Sequence, residues 1–158
     1  MREIIRAENA GFCFGVKSAI EQANRLIGRH TGPGHIYSCG PLIHNATVTD
    51  DLERRGLGMI VSLVEASCGD TVLIRSHGEG EAFYKEAEER GIAIVDATCP
   101  FVKKIHKLVR AAYESGKQPV IVGNASHPEV IGINGWCDGK AIVVSSCEEA
   151  DRIEADNL

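Results

Sequence analysis

The sequence predicts an α/β fold made of repeated small units, each with a short parallel sheet covered by helices. Short apolar segments alternate with segments of helical periodicity along the whole 158-residue chain. Glycines stand where one segment gives way to the next, at Gly28, Gly56, Gly91 and Gly116. Strands that alternate with helices in this way are typical of parallel sheets with right-handed crossover connections.

Strands are predicted where short runs of apolar or β-branched residues stand between turn residues. In chain order these runs are residues 3–7, 36–38, 71–75, 92–96, 119–122 and 141–144. Helices are predicted where apolar residues recur every three or four positions. These segments are residues 14–27, 46–55, 81–90, 100–115, 128–136 and 147–152.

Local signals support individual elements. A turn is predicted at residues 9–11, after the first strand, and Cys13 opens the helix that follows. Pro100 suits the first position of its helix, because its φ is fixed and it has no N–H to leave unpaired. The last helix begins with a capping-box pattern, Ser146-Cys147-Glu148-Glu149. The helix 100–115 has an apolar stripe with lysines opposite, made of Phe101, Ile105, Leu108, Val109 and Ala112.

The chain is predicted to contain two units that meet near Ala97. Residues 1–97 form the first α/β unit, and residues 98–158 form a second unit that is incomplete at its C-terminal end. This second unit has only two predicted strands, and a two-stranded sheet is marginal on its own. We therefore expect the chain to be a piece of a longer protein, or to need a partner.

Composition excludes several classes of protein. The chain is 44% hydrophobic and 25% charged, as in ordinary globular proteins, and its formal net charge is −5. That charge and the lack of a dense basic patch argue against nucleic-acid binding. No stretch approaches the ~18 apolar residues of a membrane span, and the N-terminus lacks the apolar region of a signal peptide. We predict a cytoplasmic protein whose six cysteines are thiols or metal ligands.

Two cysteines share one predicted setting, between the end of a strand and the start of a helix. Cys99 stands directly before Pro100, and Cys13 directly precedes the first helix. The helix dipole and the free N–H groups at such a position favour a thiolate. Two cysteines placed alike and far apart in sequence suggest ligands to one shared centre. Each cysteine alone is also compatible with a small buried hydrophobe.

Three histidines follow strands in the same way: His44 after strand 36–38, His77 after strand 71–75 and His127 after strand 119–122. Open parallel sheets bind ligands outside the carboxyl ends of their strands. Imidazoles beside free helix N–H groups suit an anion, phosphate above all. Each histidine alone is compatible with a surface turn. The remaining histidines lack this setting and are predicted to lie on the surface: His30, His35 and His106.

Glu129 falls in the first turn of helix 128–136. It is a candidate proton donor or relay facing the same crevice, or an acid that compensates the helix dipole. The paired cysteine or histidine spacing typical of zinc sites does not occur here. Thiolates on separate loops suit an iron–sulfur cluster as well as zinc. The other possible ligands are Cys39, Cys68, Cys137 and Cys147, of which Cys68 and Cys147 are less favoured.

Five motifs resemble, in order and placement, those of the 4-hydroxy-3-methylbut-2-enyl diphosphate reductase family (IspH/LytB). They are GFCFGVKSAI, PLIHN, RSHG, VDATCPFVKKIH and HPEVIG, and the match runs from Met1 to about Cys147. The resemblance implies a trefoil of three α/β units around a [4Fe–4S] cluster. It also implies the last step of the non-mevalonate isoprenoid pathway, in which the substrate loses its hydroxyl by reduction to give isopentenyl and dimethylallyl diphosphate.

By the same resemblance, Cys13 and Cys99 are two of the three cluster ligands. His44, His77 and His127 bind the diphosphate or help to deliver protons, and Glu129 protonates the departing hydroxyl. Electrons would come from reduced ferredoxin or flavodoxin. Family members continue well past residue 158, and that continuation carries the third cysteine ligand, which has no counterpart here. The first strand, 3–7, belongs in the family to the sheet of the third unit.

The resemblance therefore predicts an iron–sulfur reductase of which this chain is an inactive fragment when alone. Two alternatives stay open from the residues themselves. One is a cluster-free α/β module that binds a phosphorylated small molecule through its His-Gly loops. The other is a zinc or thiol-redox protein that uses Cys13 and Cys99.

Overall fold

The structure is a computed structural model that describes residues 3–8 and 10–154. Six strands occur among these residues: β1 (Ile36–Cys39), β2 (Leu57–Ile60), β3 (Thr71–Ile74), β4 (Ala93–Asp96), β5 (Val120–Val122) and β6 (Ile142–Val144). Six α-helices occur in the same part: α1 (Phe14–Arg29), α2 (Ala46–Arg54), α3 (Glu81–Glu89), α4 (Pro100–Glu114), α5 (Pro128–Asn134) and α6 (Cys147–Ala150). None of the described helices is long and apolar enough to cross a membrane.

All strand pairs of the described residues are parallel, which confirms the predicted α/β class. The first sheet has four strands in the order β2-β1-β3-β4, and β5 pairs with β6 in a second sheet. Because β1 and β3 are central, their side chains are buried on both faces, and Val72, Leu73 and Ile74 of β3 have no exposed surface. The loops after these two strands therefore start from the most rigid part of the fold.

Two buried clusters cover the faces of the four-stranded sheet. Helices α1 and α2 pack on one face, where Ala19, Ala23 and Leu52 meet Ile36 and Leu73. On the other face, Ala87 of α3 packs with residues of β1, β2 and β3. The small alanines of α1 let that helix approach the sheet closely, so its N-terminus lies near the strand ends.

The first predicted strand is wrong for the described residues. Residues 3–7 form no strand there and are exposed. Their β-branched character suits a strand, but no described strand pairs with them, and an isolated extended segment has no ladder to stabilise it. The predicted turn at 9–11 includes Asn9, which lies outside the described residues. The sequence prediction also missed β2, because Gly58 is unfavourable in a strand.

Helix α4 buries a different face from the one that its apolar stripe predicts. Val102 and His106 are buried, whereas Phe101 and Leu108 of the predicted stripe are 73% and 60% exposed. His106 is only 4% exposed, so its predicted surface position is wrong. Its ring stacks on Trp136, and this aromatic contact takes the place of an aliphatic core residue. Lys103 does not lie free in solvent, since its Nζ contacts Oδ2 of Asp96 at 2.7 Å.

Candidate active site

The three histidines that follow strands come together in space. His44 precedes Asn45, the N-cap of α2, and His127 is itself the N-cap of α5. His77 lies in the loop after β3. One ring nitrogen from each histidine lies within 4.8 Å of the others. The ring centroids are 5.0 Å apart for His44 and His77, and 5.7 Å apart for His77 and His127.

His77 is the central and most buried member of this histidine cluster. Burial lowers the pKa of His77 to about 4, and the positive charge of Arg75 and the two neighbouring histidines add to the effect. Its Nδ1 is buried and has no hydrogen-bond partner in the part of the chain that the structure describes. At neutral pH the imidazole is therefore uncharged.

A backbone contact fixes the tautomer of His127. The N–H of Glu129 donates to Nδ1 of His127 at 3.2 Å, so a neutral ring carries its proton on Nε2. A metal ion could bind that Nε2 only after it lost its proton or after the ring gave up the contact. An anion requires neither change, because Nε2–H is already a donor. The cluster therefore suits an anion better than it suits zinc, although three imidazoles are also a zinc donor set.

Cys13 and Cys99 occupy equivalent positions, as predicted. Each is the N-cap of a helix, Cys13 of α1 and Cys99 of α4, and neither side chain caps its own helix by a hydrogen bond. Cys13 is exposed and Cys99 is half-buried. The two helix ends are in contact, because a Cβ on Gly15 would lie 2.8 Å from Sγ of Cys99. Only glycine at this position leaves room for the thiol.

Two of the three histidines and the start of α1 line one cavity of about 160 Å³. Phe12 and Val16 line it from the start of α1, and His44 and His77 line it from the strand ends. Ser76 is also in its wall, and the carbonyl oxygen of Ser76 accepts a 3.0 Å hydrogen bond from the N–H of Cys99. The sequence rule that ligand groups gather at strand ends therefore brings together residues more than 80 positions apart.

The remaining sequence candidates fall into different places. Glu129 is half-buried in the first turn of α5, beside His127. Cys39 and Cys137 are buried, and Cys68 and Cys147 are exposed. Burial raises the pKa of the Cys39 thiol to about 11, so this group is a core residue at neutral pH. The pKa of Cys137 is also raised by burial.

Sequence reasoning missed an ion pair in the loop that carries His77. Arg75 and Glu79 lie on either side of His77 in the chain and form a largely buried ion pair at 3.4 Å. Gly40 leaves room for this arginine, since a Cβ there would lie 2.8 Å from its Nη1. The sequence offered one signal for this ion pair, which is that Arg75 and Glu79 are four residues apart. That spacing predicts a contact within a helix, and this segment is not helical.

The donor set can be tested against an iron–sulfur cluster. Such clusters are held by cysteine thiolates, and two cysteines at adjoining helix N-termini meet that requirement in part. Gly15 leaves room for the thiol of Cys99 at the start of α1, and neither cysteine side chain is used to cap its own helix. The residues present fit one side of a cluster.

Parallel sheets with thiols and imidazoles gathered near their strand ends define the class: an α/β protein with a candidate ligand site at that edge. The sequence model of the LytB protein family matches residues 4–158. This match covers nearly all of the chain, which therefore belongs to the LytB family.

Curated relatives and solved structures are similar over most of this chain. The 4-hydroxy-3-methylbut-2-enyl diphosphate reductase of Caldanaerobacter subterraneus subsp. tengcongensis is 46% identical over 153 residues, which are 96% of this chain and 53% of that protein. The protein of the same description from Thermoanaerobacter sp. is 47% identical over 150 residues, 94% of this chain and 52% of its own length.

Two solved reductases share the fold. The E-1-hydroxy-2-methyl-but-2-enyl-4-diphosphate reductase of Plasmodium falciparum has a TM-score of 0.87 at 27% identity, over 94% of this chain and 46% of that chain. The (E)-4-hydroxy-3-methyl-but-2-enyl diphosphate reductase described as the terminal enzyme of the non-mevalonate pathway has a TM-score of 0.78 at 41% identity, over 94% and 53%. The chain thus spans about half the length of the relatives that it matches.

Proposed function

We propose that this chain forms the substrate-binding part of a 4-hydroxy-3-methylbut-2-enyl diphosphate reductase. The observation that carries the proposal is the convergence of one ring nitrogen each from His44, His77 and His127 within 4.8 Å. The N–H of Cys99 donates to the carbonyl oxygen of Ser76, the residue before His77, so this N-cap cysteine is tied to the loop of the histidine cluster. The reaction removes the allylic hydroxyl as water, with two electrons and two protons, and leaves isopentenyl or dimethylallyl diphosphate. It needs an anion site, a proton donor and a source of electrons in one place.

A [4Fe–4S] cluster would be held by Cys13 and Cys99 in this proposal. When bound, the cluster supplies the electrons and a Lewis-acidic iron for the hydroxyl. The third cysteine ligand would come from the half of the relatives' length that this chain does not span. Neither Cys137 nor Cys147 takes that role, because Cys137 is buried and Cys147 opens the exposed helix α6.

The histidine cluster binds the diphosphate through N–H donors in this proposal. His127 donates from Nε2, because its Nδ1 is occupied by the Glu129 N–H. His77 enters as a neutral imidazole, and a bound diphosphate would favour its protonated form. His44 and His127 are the exposed members and flank the half-buried His77. Binding of the anion and uptake of a proton are therefore coupled.

Glu129 is the proposed proton donor. Its backbone holds the His127 ring while its half-buried side chain stays free of hydrogen bonds to other described residues. The backbone contact keeps the acid beside the anion site, within reach of a ligand bound there. It would deliver one proton to the departing hydroxyl, take up a second proton from solvent, and deliver that proton to the allylic carbon skeleton.

The wider context follows from the same proposal. The electrons would arrive from reduced ferredoxin or flavodoxin, and the compartment would be the cytoplasm. All six cysteines are free thiols in the structure, which agrees with a reducing compartment. The isolated chain would neither hold an intact cluster nor turn over substrate, because the third ligand would be missing.

A cluster-free module that binds a phosphorylated small molecule is the second candidate. The tautomer of His127 favours this module as much as it favours the reductase, because both need an N–H group that donates a hydrogen bond to an anion. The two differ in their need for iron. A module of this kind would bind its ligand fully without metal, and the substitution Cys13→Ser would leave that affinity unchanged even in the complete protein.

The first test is anaerobic reconstitution with iron and sulfide, followed by metal analysis and titration with inorganic pyrophosphate. The complete protein should hold about four iron and four sulfide ions per chain, and Cys13→Ser should lose them, whereas the exposed control Cys147→Ser should not. The isolated chain should bind pyrophosphate but hold little iron. Robust turnover by the isolated chain would overturn the assignment of the third ligand. Failure to bind pyrophosphate would overturn the anion site.

A further inference from the structure

The loop of residues 75–80, called here the His77 loop, is enclosed by the second half of the chain. It follows β3 of the first sheet and leads into α3, which packs on that sheet. Its outer side packs against α4, α5 and the 3₁₀ turn Gly135–Cys137. The position of His77 therefore depends on residues that belong to a different sheet from its own strand.

Gly78 makes the first of two equally close approaches. Its φ is +76°, and a Cβ there would lie 2.6 Å from Cε1 of His106 and 2.9 Å from Cγ2 of Thr98. On the other side, a Cβ on Gly132 of α5 would lie 3.1 Å from the carbonyl oxygen of Gly78. The peptide directly after His77 is thus held between α4 and α5 with no space left over.

A second close approach lies two residues further on. A Cβ on Gly135 would lie 2.6 Å from the Cα of Gly80. Between these glycine contacts, Nε1 of Trp136 donates a 2.9 Å hydrogen bond to the carbonyl oxygen of Glu79. The backbone of the His77 loop is therefore fixed at three successive residues by the segment that ends α5.

His106 connects these contacts to α4. Its ring stacks on Trp136 with the centroids 5.3 Å apart and the planes at 23°, while its edge presses on Gly78. Its Nε2 is buried and has no hydrogen-bond partner among the described residues. A buried imidazole that makes no hydrogen bond through this nitrogen acts by its shape, as a flat ring between an indole and a glycine.

Helix α5 has the histidine cluster at one end and this packing at the other. His127 is its N-cap, and Trp136 lies just beyond its C-terminus. A shift of the His77 loop relative to α5 would therefore change the separation of His77 and His127, whose ring centroids are 5.7 Å apart.

We infer that His106 is a positioning residue of the anion site: wedged between Trp136 and Gly78, it fixes the His77 loop on α5 so that His77 and His127 meet on one ligand. The inference rests on the proposed function only in naming that ligand as a diphosphate. Its geometry requires only that the two imidazoles keep their separation.

The test is a double-mutant cycle between Gly78→Ala and His106→Ala, read by pyrophosphate affinity and by NMR of the histidine rings. Gly78→Ala alone inserts a methyl group into the His106 ring, and it also adds backbone strain at positive φ. That strain is present in both backgrounds and cancels in the cycle. Gly78→Ala should therefore weaken pyrophosphate binding much more in the native background than in the His106→Ala background.

Val102→Ala is the matched control, because Val102 is buried on the same face of α4 one turn earlier. It should lower the unfolding temperature to an extent similar to His106→Ala and leave the Hε1 resonances of His77 and His127 in place. His106→Ala should shift both resonances and weaken pyrophosphate binding by about tenfold, the effect of ~1.4 kcal/mol. If Gly78→Ala fails to fold, the comparison of these two variants decides the question.

The outcomes separate this inference from the proposed function. If the native chain does not bind pyrophosphate, the anion site fails, and the ring resonances still test the positioning role. If the native chain binds and His106→Ala binds equally well with unshifted resonances, the positioning role is overturned. Equal effects of His106→Ala and Val102→Ala on affinity would also overturn it, since they would show loss of stability alone.

Discussion

The backbone N–H of Glu129 donates to Nδ1 of His127 at 3.2 Å, so one peptide links the proposed proton donor to the proposed anion ligand. The donor of this hydrogen bond is a main-chain group, so the bond is kept when the Glu129 side chain is replaced by glutamine. The two functions of this segment can therefore be separated by mutation.

Glu129→Gln should keep the cluster and the affinity for pyrophosphate in the complete protein, and should abolish most of the turnover. The substitution removes a proton source but leaves the His127 tautomer and the helix start intact. Steady-state rates, iron content and a pyrophosphate titration on the same preparation measure the three effects. A variant that retains a near-native rate would rule out Glu129 as the acid.

Stability should decline as the pH falls from about 6.5 to about 4. The pKa of His77 is lowered to about 4 and that of His106 is also lowered, in both cases mainly by burial, so the unfolded chain binds protons that the folded chain does not. Each such proton lowers the free energy of unfolding by at most about 1.4 kcal/mol per pH unit. Urea titrations at several pH values in this range give the free energy of unfolding as a function of pH. That free energy should fall less steeply with decreasing pH for His77→Asn than for the native chain, and an equally steep fall would contradict the burial of His77.

Gly15→Ala should weaken the cluster site, because the new methyl group would lie 2.8 Å from Sγ of Cys99. Gly28→Ala is the matched control in the same helix, since a Cβ at Gly28 meets nothing within 4 Å. The control should raise stability by less than the roughly 0.5–1 kcal/mol that alanine gains over glycine in a helix interior, because Gly28 lies in the last turn of α1. The iron content of the complete protein after reconstitution should be lower for Gly15→Ala than for Gly28→Ala. Equal iron in both variants would contradict the prediction, because it would mean that α1 can move away from Cys99 at no cost to the site.

Asp70→Asn should destabilise the first sheet by about 2 kcal/mol through loss of one charge-assisted hydrogen bond. The Asp70 carboxylate is buried and accepts from the N–H of His35 at 2.7 Å and from the N–H of Ser67 at 2.8 Å. These bonds lower the pKa of Asp70, mainly through His35. An amide offers only one acceptor oxygen, so one N–H loses its partner. Denaturant unfolding measures the loss, and a change below 0.5 kcal/mol would contradict the role of Asp70.

Much of this architecture could be predicted because local rules and the global fold agree. Pro100 and the strand before it fix the start of α4, and the strand-end rule brings His44, His77 and His127 together. The roles of these histidines as diphosphate ligands, and of Cys13 and Cys99 as cluster ligands, stay predictions.

The failures have a common physical cause, which is that periodicity does not say which face of an element meets a neighbour. In α4 the apolar stripe predicted a buried Phe101 and a surface His106, but Trp136 and Gly78 come from distant parts of the chain and accommodate His106 instead. Residues 3–7 have the composition of a strand, yet a strand needs a partner, and composition alone cannot supply one.

The apolar stripe of α4 also governs how this chain behaves in a test tube. Phe101, Ile105 and Leu108 face water on a helix that also carries Lys104 and Lys107 on its exposed surface. Like-charge repulsion between chains opposes their association at low ionic strength, and the Debye length shortens to about 10 Å at 0.1 M salt. Concentrated samples should therefore scatter more light and bind more of the dye anilinonaphthalene sulfonate as salt is added.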